Sequence, residues 1–178
     1  MAHSPSLRNI VPSARHWHVI DEIDLVRMIR GHRRRAALCD RLEALADALP
    51  ALPSPDSHAR LARAVRDSIN RSEQEELAHL AAQLDCGQDP LVRIVLERIR
   101  REHLAHAALA EEAIAALDAE ATERLCPEAL GYLLRGVFTA WRRAIDYEQL
   151  AILALAGARM TGEAREQLAG AIAGRAAT

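Results

Sequence analysis

Four side chains able to bind a metal or a proton interrupt otherwise apolar helical stripes in this 178-residue chain. Two of them are imidazoles, His32 and His103, and two are carboxylates, Glu73 and Glu148. Each has apolar residues about four and seven positions away, a spacing that places it on the buried face of a helix. Such groups must either pair with one another or bind a cation, because an isolated buried charge is costly.

Helices have to position these four residues, and the sequence indicates where the helices begin and end. Asp89 and Pro90 are residue types favoured at the N-cap and the first position of a helix, and Pro127 marks another start. The Pro-rich stretch ALPALPSPDS ends the first helix. Four long helices are therefore predicted at residues 21–49, 57–84, 90–117 and 127–159, with a short closing helix at 162–175.

These lengths and short connections predict an all-α fold, an antiparallel up-down-up-down four-helix bundle. The bundle domain is expected to cover residues 19–178, and residues 1–18 are expected to form an irregular N-terminal arm. Each of the four polar residues lies about 11 to 13 residues from the same end of the bundle, which at roughly 1.5 Å per residue is one level within about a turn. We therefore expect two imidazoles and two carboxylates to meet in one layer of the core.

Composition and charge narrow the classes of function. Half of the residues are hydrophobic and only 3% are aromatic, which favours close-packed helices over a sheet. The formal net charge of −2 gives no reason to expect a nucleic-acid partner, and the chain has no apolar run as long as a membrane span. Three cysteines without metal-ligand spacing favour the reducing cytoplasm. No nucleophile–base pair or phosphate-binding loop is present, so we do not expect an enzyme.

Two explanations of the polar layer follow from its residue types. In the first, each imidazole pairs with a carboxylate, and the charge-balanced layer fixes the register of the helices. In the second, the layer binds a transition metal, with iron the natural ion for a mixed nitrogen and oxygen ligand set in a bundle. His106, one turn beyond His103, is a further candidate ligand. The run Arg33 to Arg35 is interpreted as a solvated face.

Four stretches of the chain resemble the hemerythrin-like (HHE cation-binding) family: IRGHRRRAALCDRLEALA, EQEELAHLAAQL, RIRREHLAHAAL and YEQLAILALAGARMT. The family pattern is a His on helix one, HxxxE on helix two, a His on helix three and HxxxE on helix four. The resemblance extends over about residues 19–161 and implies a bundle with a non-haem di-iron site. It matches His32, Glu73, His103 and Glu148 to metal ligands, and implies sensing of oxygen, nitric oxide or redox state, or iron handling.

The chain departs from the family pattern at both HxxxE motifs. The positions of the two missing histidines hold Ile69 and Ala144, and the residues after the two glutamates are Gln74 and Gln149. Three outcomes are therefore open: a weakened two-ion site completed by water, a one-ion site that uses His106, or a metal-free degenerate bundle. The last would act as a protein-interaction or dimerisation module, with a second copy or another protein as its partner.

Overall fold

The described part of the chain folds into helices joined by short connections. The computed structural model describes residues 19–51, 54–71, 77–84, 89–118 and 126–176, so the predicted arm at 1–18 and Glu73 lie outside the described residues. Within these ranges no helix is both long enough and apolar enough to cross a membrane. The helices are α1 (Glu22–Ala48), α2 (Pro55–Arg71), α3 (Leu77–Leu84), α4 (Pro90–Ala116), α5 (Pro127–Ala156) and α6 (Gly162–Ala176), with a 3₁₀ turn at Gly157–Arg159 between the last two.

The predicted starts of α4 and α5 are confirmed. The Asp89 carboxylate accepts a hydrogen bond of 2.9 Å from the Leu91 amide, and Pro90 takes the first helical position, where no amide hydrogen is needed. Pro127 has the same role in α5, where Cys126 is the N-cap without a side-chain capping bond. These starts set the phase of the two helices that carry His103 and Glu148.

The predicted second helix is described in two parts. It begins at Pro55, two residues earlier than expected, because proline is favoured at a first helical position and the Ser54 carbonyl accepts bonds from the Ser57 and His58 amides. Its last part is α3, which ends at the predicted boundary. Residues 72–76, between these parts, lie outside the described residues, so one continuous helix stays a prediction.

The polar residues lie between two apolar clusters in the core. The first cluster combines residues 38–46 of α1, 61–69 of α2, 110–116 of α4 with Leu117 directly after it, and 130–141 of α5. The second takes in Leu25 and Ile29 of α1, Val92 and Ile99 of α4, and Ile152 of α5. Along each of these three helices the clusters leave a gap of about two to three turns. His32, His103 and Glu148 fall in those gaps.

Backbone hydrogen bonds join the start of α1 to the connection between α5 and α6. The Ile20 amide donates to the Arg159 carbonyl, and the Thr161 amide donates to the Ile20 carbonyl, both at 3.0 Å. Ile20 and Met160 thereby form an isolated parallel β-bridge. Both side chains are buried in the second cluster, so this bridge holds together the end of the core at which α1 begins.

A surface ion pair network also joins α5 to α1. Arg142 donates to Asp40 at 2.8 Å and to Glu43 at 2.6 Å, and its guanidinium lies 5.2 Å from the centre of the Phe138 ring. The hydrogen bond from Arg142 lowers the pKa of Glu43. Partly exposed pairs of this kind contribute little stability, so the relative position of the helices depends mainly on the core.

Candidate functional site

The Glu148 carboxylate bridges two imidazoles from two other helices. Its Oε1 atom lies 2.7 Å from Nε2 of His103 on α4, and its Oε2 atom lies 2.9 Å from Nε2 of His32 on α1. The three residues are 3%, 9% and 1% exposed, respectively. Each Nε2–H therefore donates to one oxygen of a carboxylate that water does not reach. We call this set, with the neighbouring Arg35 and Gln149, the Glu148 cluster.

Gln149 fixes the orientation of the His32 ring. Its amide nitrogen lies 3.0 Å from Nδ1 of His32, and the side chain is fully buried. When the amide donates to Nδ1, the ring proton must be on Nε2, which is the nitrogen that faces Glu148. Both ring nitrogens of His32 therefore have a hydrogen-bond partner, and Nε2 donates to the carboxylate.

Arg35 belongs to the cluster, so the prediction that the whole arginine run is a solvated face is wrong for this residue. Arg33 and Arg34 are exposed, but Arg35 is only 5% exposed. Its Nη1 atom lies 3.8 Å from Oε1 of Glu148. The sequence does contain a signal for this, because a residue three positions after His32 lies on the same helical face.

The cluster keeps Glu148 ionised. Burial alone would raise the pKa of the carboxyl group, but the hydrogen bonds from His103 and His32 lower it, and the charges of His32 and Arg35 lower it further. The net effect places the pKa well below its usual range. The hydrogen bonds and positive charges around Glu148 thus offset the free energy cost of burying its negative charge.

His106, a further predicted site residue, stands apart from this bridge. His106 is half-buried one turn beyond His103, and it is not among the hydrogen-bonding partners described for Glu148. Burial lowers the pKa of His106, and the charges of His103 and Arg35 lower it further, against the opposite effect of Glu102 and Glu148. The placement of Glu73 remains a prediction because the residue lies outside the described part of the chain. The structure thus unites three of the five predicted residues.

The described residues do not fit a dinuclear iron centre. Among them, no group of three or more His, Cys, Asp or Glu side chains is placed to hold a metal ion. The two positions where the family pattern has further histidines hold buried apolar side chains, Ile69 and Ala144. The Arg35 guanidinium adds a positive charge beside the Glu148 carboxylate, where a dinuclear site would need negative charge.

Comparisons with known proteins do not identify the family of this chain. Neither models of protein families nor curated proteins nor solved structures match the chain. The resemblance to the hemerythrin-like family therefore stays a prediction from the four sequence stretches, and the interpretation of the cluster depends on its own geometry.

Removing the charge of Glu148 is expected to destabilise the protein, because Glu148→Gln leaves the buried Arg35 guanidinium without the negative charge 3.8 Å away. We expect a loss of about 3 kcal/mol in the free energy of unfolding, measured with urea. Arg35→Met combined with Glu148→Gln should cost less than the sum of the two single changes, by about 1 to 3 kcal/mol. Glu111→Gln, on an exposed face of α4, is the control. Additive effects of the first two changes would contradict the pairing.

The pH dependence of stability should reflect His106. Its pKa in the folded protein is lowered from an ordinary value of 6.5, so its contribution is present above pH 6.5 and is lost as the pH falls toward the lowered value. Wild type should therefore lose stability relative to His106→Gln as the pH falls below 6.5. Urea unfolding of both proteins at several pH values measures the difference. A difference that does not change with pH would show that His106 titrates alike in the folded and unfolded states.

Proposed function

We propose that this chain is a metal-independent bundle of hemerythrin-like type that acts as a protein-interaction or dimerisation module. The observation that carries the proposal is the state of the Glu148 carboxylate. Both of its oxygens accept hydrogen bonds from imidazoles, and its charge faces the Arg35 guanidinium. The buried charge is thus compensated by side chains of the protein, and no external cation is required to explain why it is buried.

The packing of the helices supports a four-helix arrangement. Helix α1 packs mainly on α5, α5 on α4, and α4 on α2, while α2 also contacts α1. This order of contacts supports a closed ring of four helices around a shared core, as in a bundle. The short helix α6 packs on α1 and α5, as a closing helix would. Glu148, His32 and His103 supply one polar residue each from three helices of that ring.

A structural role for the cluster follows from its place between the apolar clusters. If α5 slid by one turn against α1 and α4, Glu148 would leave both imidazoles and face apolar side chains. A buried carboxylate without hydrogen-bond partners costs several kcal/mol. The cluster would therefore favour one register, in the way that a single buried polar residue fixes register in coiled coils.

Exposed apolar side chains support the interaction role. Four of them flank members of the second apolar cluster in sequence, which places them toward one end of the molecule: Val19, Ile23, Leu91 and Ile94. A second copy or another protein would remove this surface from water.

Cys39 and Cys126 are both free thiols, which supports a place in the reducing cytoplasm.

A second candidate is the binding of one or two iron ions for oxygen, nitric oxide or redox sensing, or for iron handling. The observation that favours it is the meeting of donors from three helices, together with a buried His103 Nδ1 atom that has no hydrogen-bond partner. Glu73 and His106 would complete the ligands that the sequence predicts. The positive charge of Arg35 beside Glu148 counts against this candidate, because it would repel a bound ion.

Metal analysis of the wild-type protein separates the two candidates. Protein purified without a His-tag or chelator, and then incubated anaerobically with Fe(II) and desalted, should hold no stoichiometric iron and should keep its melting temperature. The expected reason is that the Glu148 charge is already compensated inside the protein. Bound iron in a fixed ratio to the chain, with a higher melting temperature, would support the second candidate instead.

The interaction role predicts self-association through the exposed end. If the chain is a homodimer, sedimentation velocity should show it, and Ile94→Glu should shift it toward the monomer because a charge replaces an exposed apolar side chain. Leu104→Glu is the matched control, since Leu104 is equally exposed on α4 but lies beside the Glu148 cluster rather than at that end. A monomer at all concentrations would leave dimerisation without support, and equal effects of both changes would contradict the assignment of the surface.

A further inference from the structure

We propose that the outer face of α1 is a docking surface for an acidic α-helix of a partner protein. The juxtaposition that carries it is a row of exposed arginines that share one line of the helix with small and apolar side chains and with no acid. The inference deepens the protein-interaction role proposed above, because it names the chemistry of the partner, and it rests on that role. We call this line the basic face of α1: Ile23, Arg27, Arg30, Arg34, Ala37, Arg41 and Ala44.

The basic face has the spacing at which two helices pack lengthwise. Its members are separated alternately by four and three residues from Ile23 to Ala44, and each of them is exposed. Positions with this spacing lie along one side of a helix and form the line that a second helix follows. At about 1.5 Å per residue, the four arginines extend over about 21 Å, or roughly two heptads.

The positive charge of this face is not offset by the acids later in α1. Those acids turn toward α5, where Arg142 donates to Asp40 and Glu43, and Arg135 donates to Asp47. Within the described part of the chain, no ion pair joins a carboxylate to the three arginines of the face that follow the first. The face therefore presents a row of charges that a partner can neutralise.

A helix with carboxylates on one side matches the chemistry and the spacing of this row. The planar guanidinium of arginine donates two parallel hydrogen bonds to a carboxylate. Glutamates three and four residues apart lie along one side of a helix at the same intervals as the arginines. Ala37 and Ala44 are short, so the two backbones can approach closely. Ile23, which is 75% exposed, adds an apolar contact at one end and joins the face to the exposed apolar end described above.

The surroundings favour a single helix over a broad polyanion. Helix α6 packs on α1, and the backbone just before α6 is hydrogen-bonded to the backbone just before α1. The first two turns of α6 have a net negative charge, from Glu163 and Glu166 against Arg165. A helix about 10 Å wide fits along the basic face, whereas an anionic membrane or a DNA duplex would also cover these acids. The formal net charge of −2 gives no long-range attraction to a polyanion either.

The test compares the binding of two labelled synthetic peptides to the full chain, measured by fluorescence anisotropy at low ionic strength. Both peptides are alanine-rich helices of the same composition. In the first the glutamates are three and four residues apart on one side, and in the second they are spread around the helix. We expect one-to-one binding of the first peptide, at least about fivefold tighter than that of the second. Salt at about 0.5 M should weaken this binding, because exposed ion pairs are screened.

Removal of charge from the basic face should weaken this binding. Arg30→Ala combined with Arg34→Ala is expected to bind the first peptide at least about fivefold more weakly than wild type does. The matched control is Arg93→Ala combined with Arg101→Ala, which removes the same charge from exposed positions of α4 and should bind like wild type. Arg30→Glu combined with Arg34→Glu should bind a version of the peptide with lysines in place of glutamates more tightly than wild type does. All four positions are exposed, so the helical circular dichroism of each variant should match wild type.

Several results would overturn the inference. They are the absence of binding, equal binding of the two peptides, and equal effects of the changes on α1 and on α4. A DNA duplex or phosphatidylserine vesicles that bind more tightly than the first peptide, and lose binding in Arg30→Ala with Arg34→Ala, would assign the face to a nucleic acid or a membrane instead. Salt-sensitive self-association that this variant loses would assign it to a second copy of the chain.

These results are distinct from those that test the proposed function. If the first peptide does not bind, while the chain holds no iron and Ile94→Glu shifts a dimer toward the monomer, the proposed function stands and this inference is overturned. If wild type holds iron in a fixed ratio, the metal-independent function is overturned whatever the peptides do, because the basic face lies outside the Glu148 cluster.

Discussion

An ionised carboxylate in an apolar core is the constraint on which the rest of this structure depends. Glu148 is buried on α5 and keeps its charge, and the free energy cost of removing that charge from water has to be offset where it lies. Two imidazoles and a guanidinium meet this requirement, and they come from two other helices. The helices must therefore pack in the register that brings all of them to the same level.

The departures from the hemerythrin-like pattern form a consistent set when they are seen around Glu148. Ala144 is a small buried apolar residue one turn before Glu148, and Ile69 is buried in the first apolar cluster, so neither offers a metal ligand. Gln149 donates to His32 and orients it toward the carboxylate. Arg35 supplies the positive charge. Together these residues place apolar side chains where the family pattern has histidines, and they leave Glu148 among hydrogen-bond donors and beside a positive charge.

Much of this arrangement was predictable from periodicity. The apolar stripes placed His32, His103 and Glu148 on buried faces, and the heights expected in an antiparallel bundle brought them to one level, which the distances confirm. The starts of α4 and α5 followed from Asp89, Pro90 and Pro127, because proline and N-cap residues act locally. Whether Glu73 shares the layer stays a prediction.

The role of Arg35 was missed for a physical reason. Charged side chains in a run are usually solvated, and the general tendency outweighed the specific spacing from His32. The charge of a buried arginine has to be compensated, and the carboxylate 3.8 Å from Arg35 belongs to a residue more than 100 positions later in the chain. No local pattern reports such a pairing, so the sequence supported both a metal site and a charge-balanced layer.

The most direct test of the charge-balanced layer is the protonation of the two imidazoles, observed by long-range ¹H–¹⁵N NMR of the wild-type protein before and after addition of Zn²⁺. The account predicts that Nε2 of His32 and Nε2 of His103 both carry protons, and that neither nitrogen changes its chemical shift when Zn²⁺ is added. Loss of these Nε2 protons on addition of Zn²⁺, with shifts typical of metal-bound nitrogen, would contradict it.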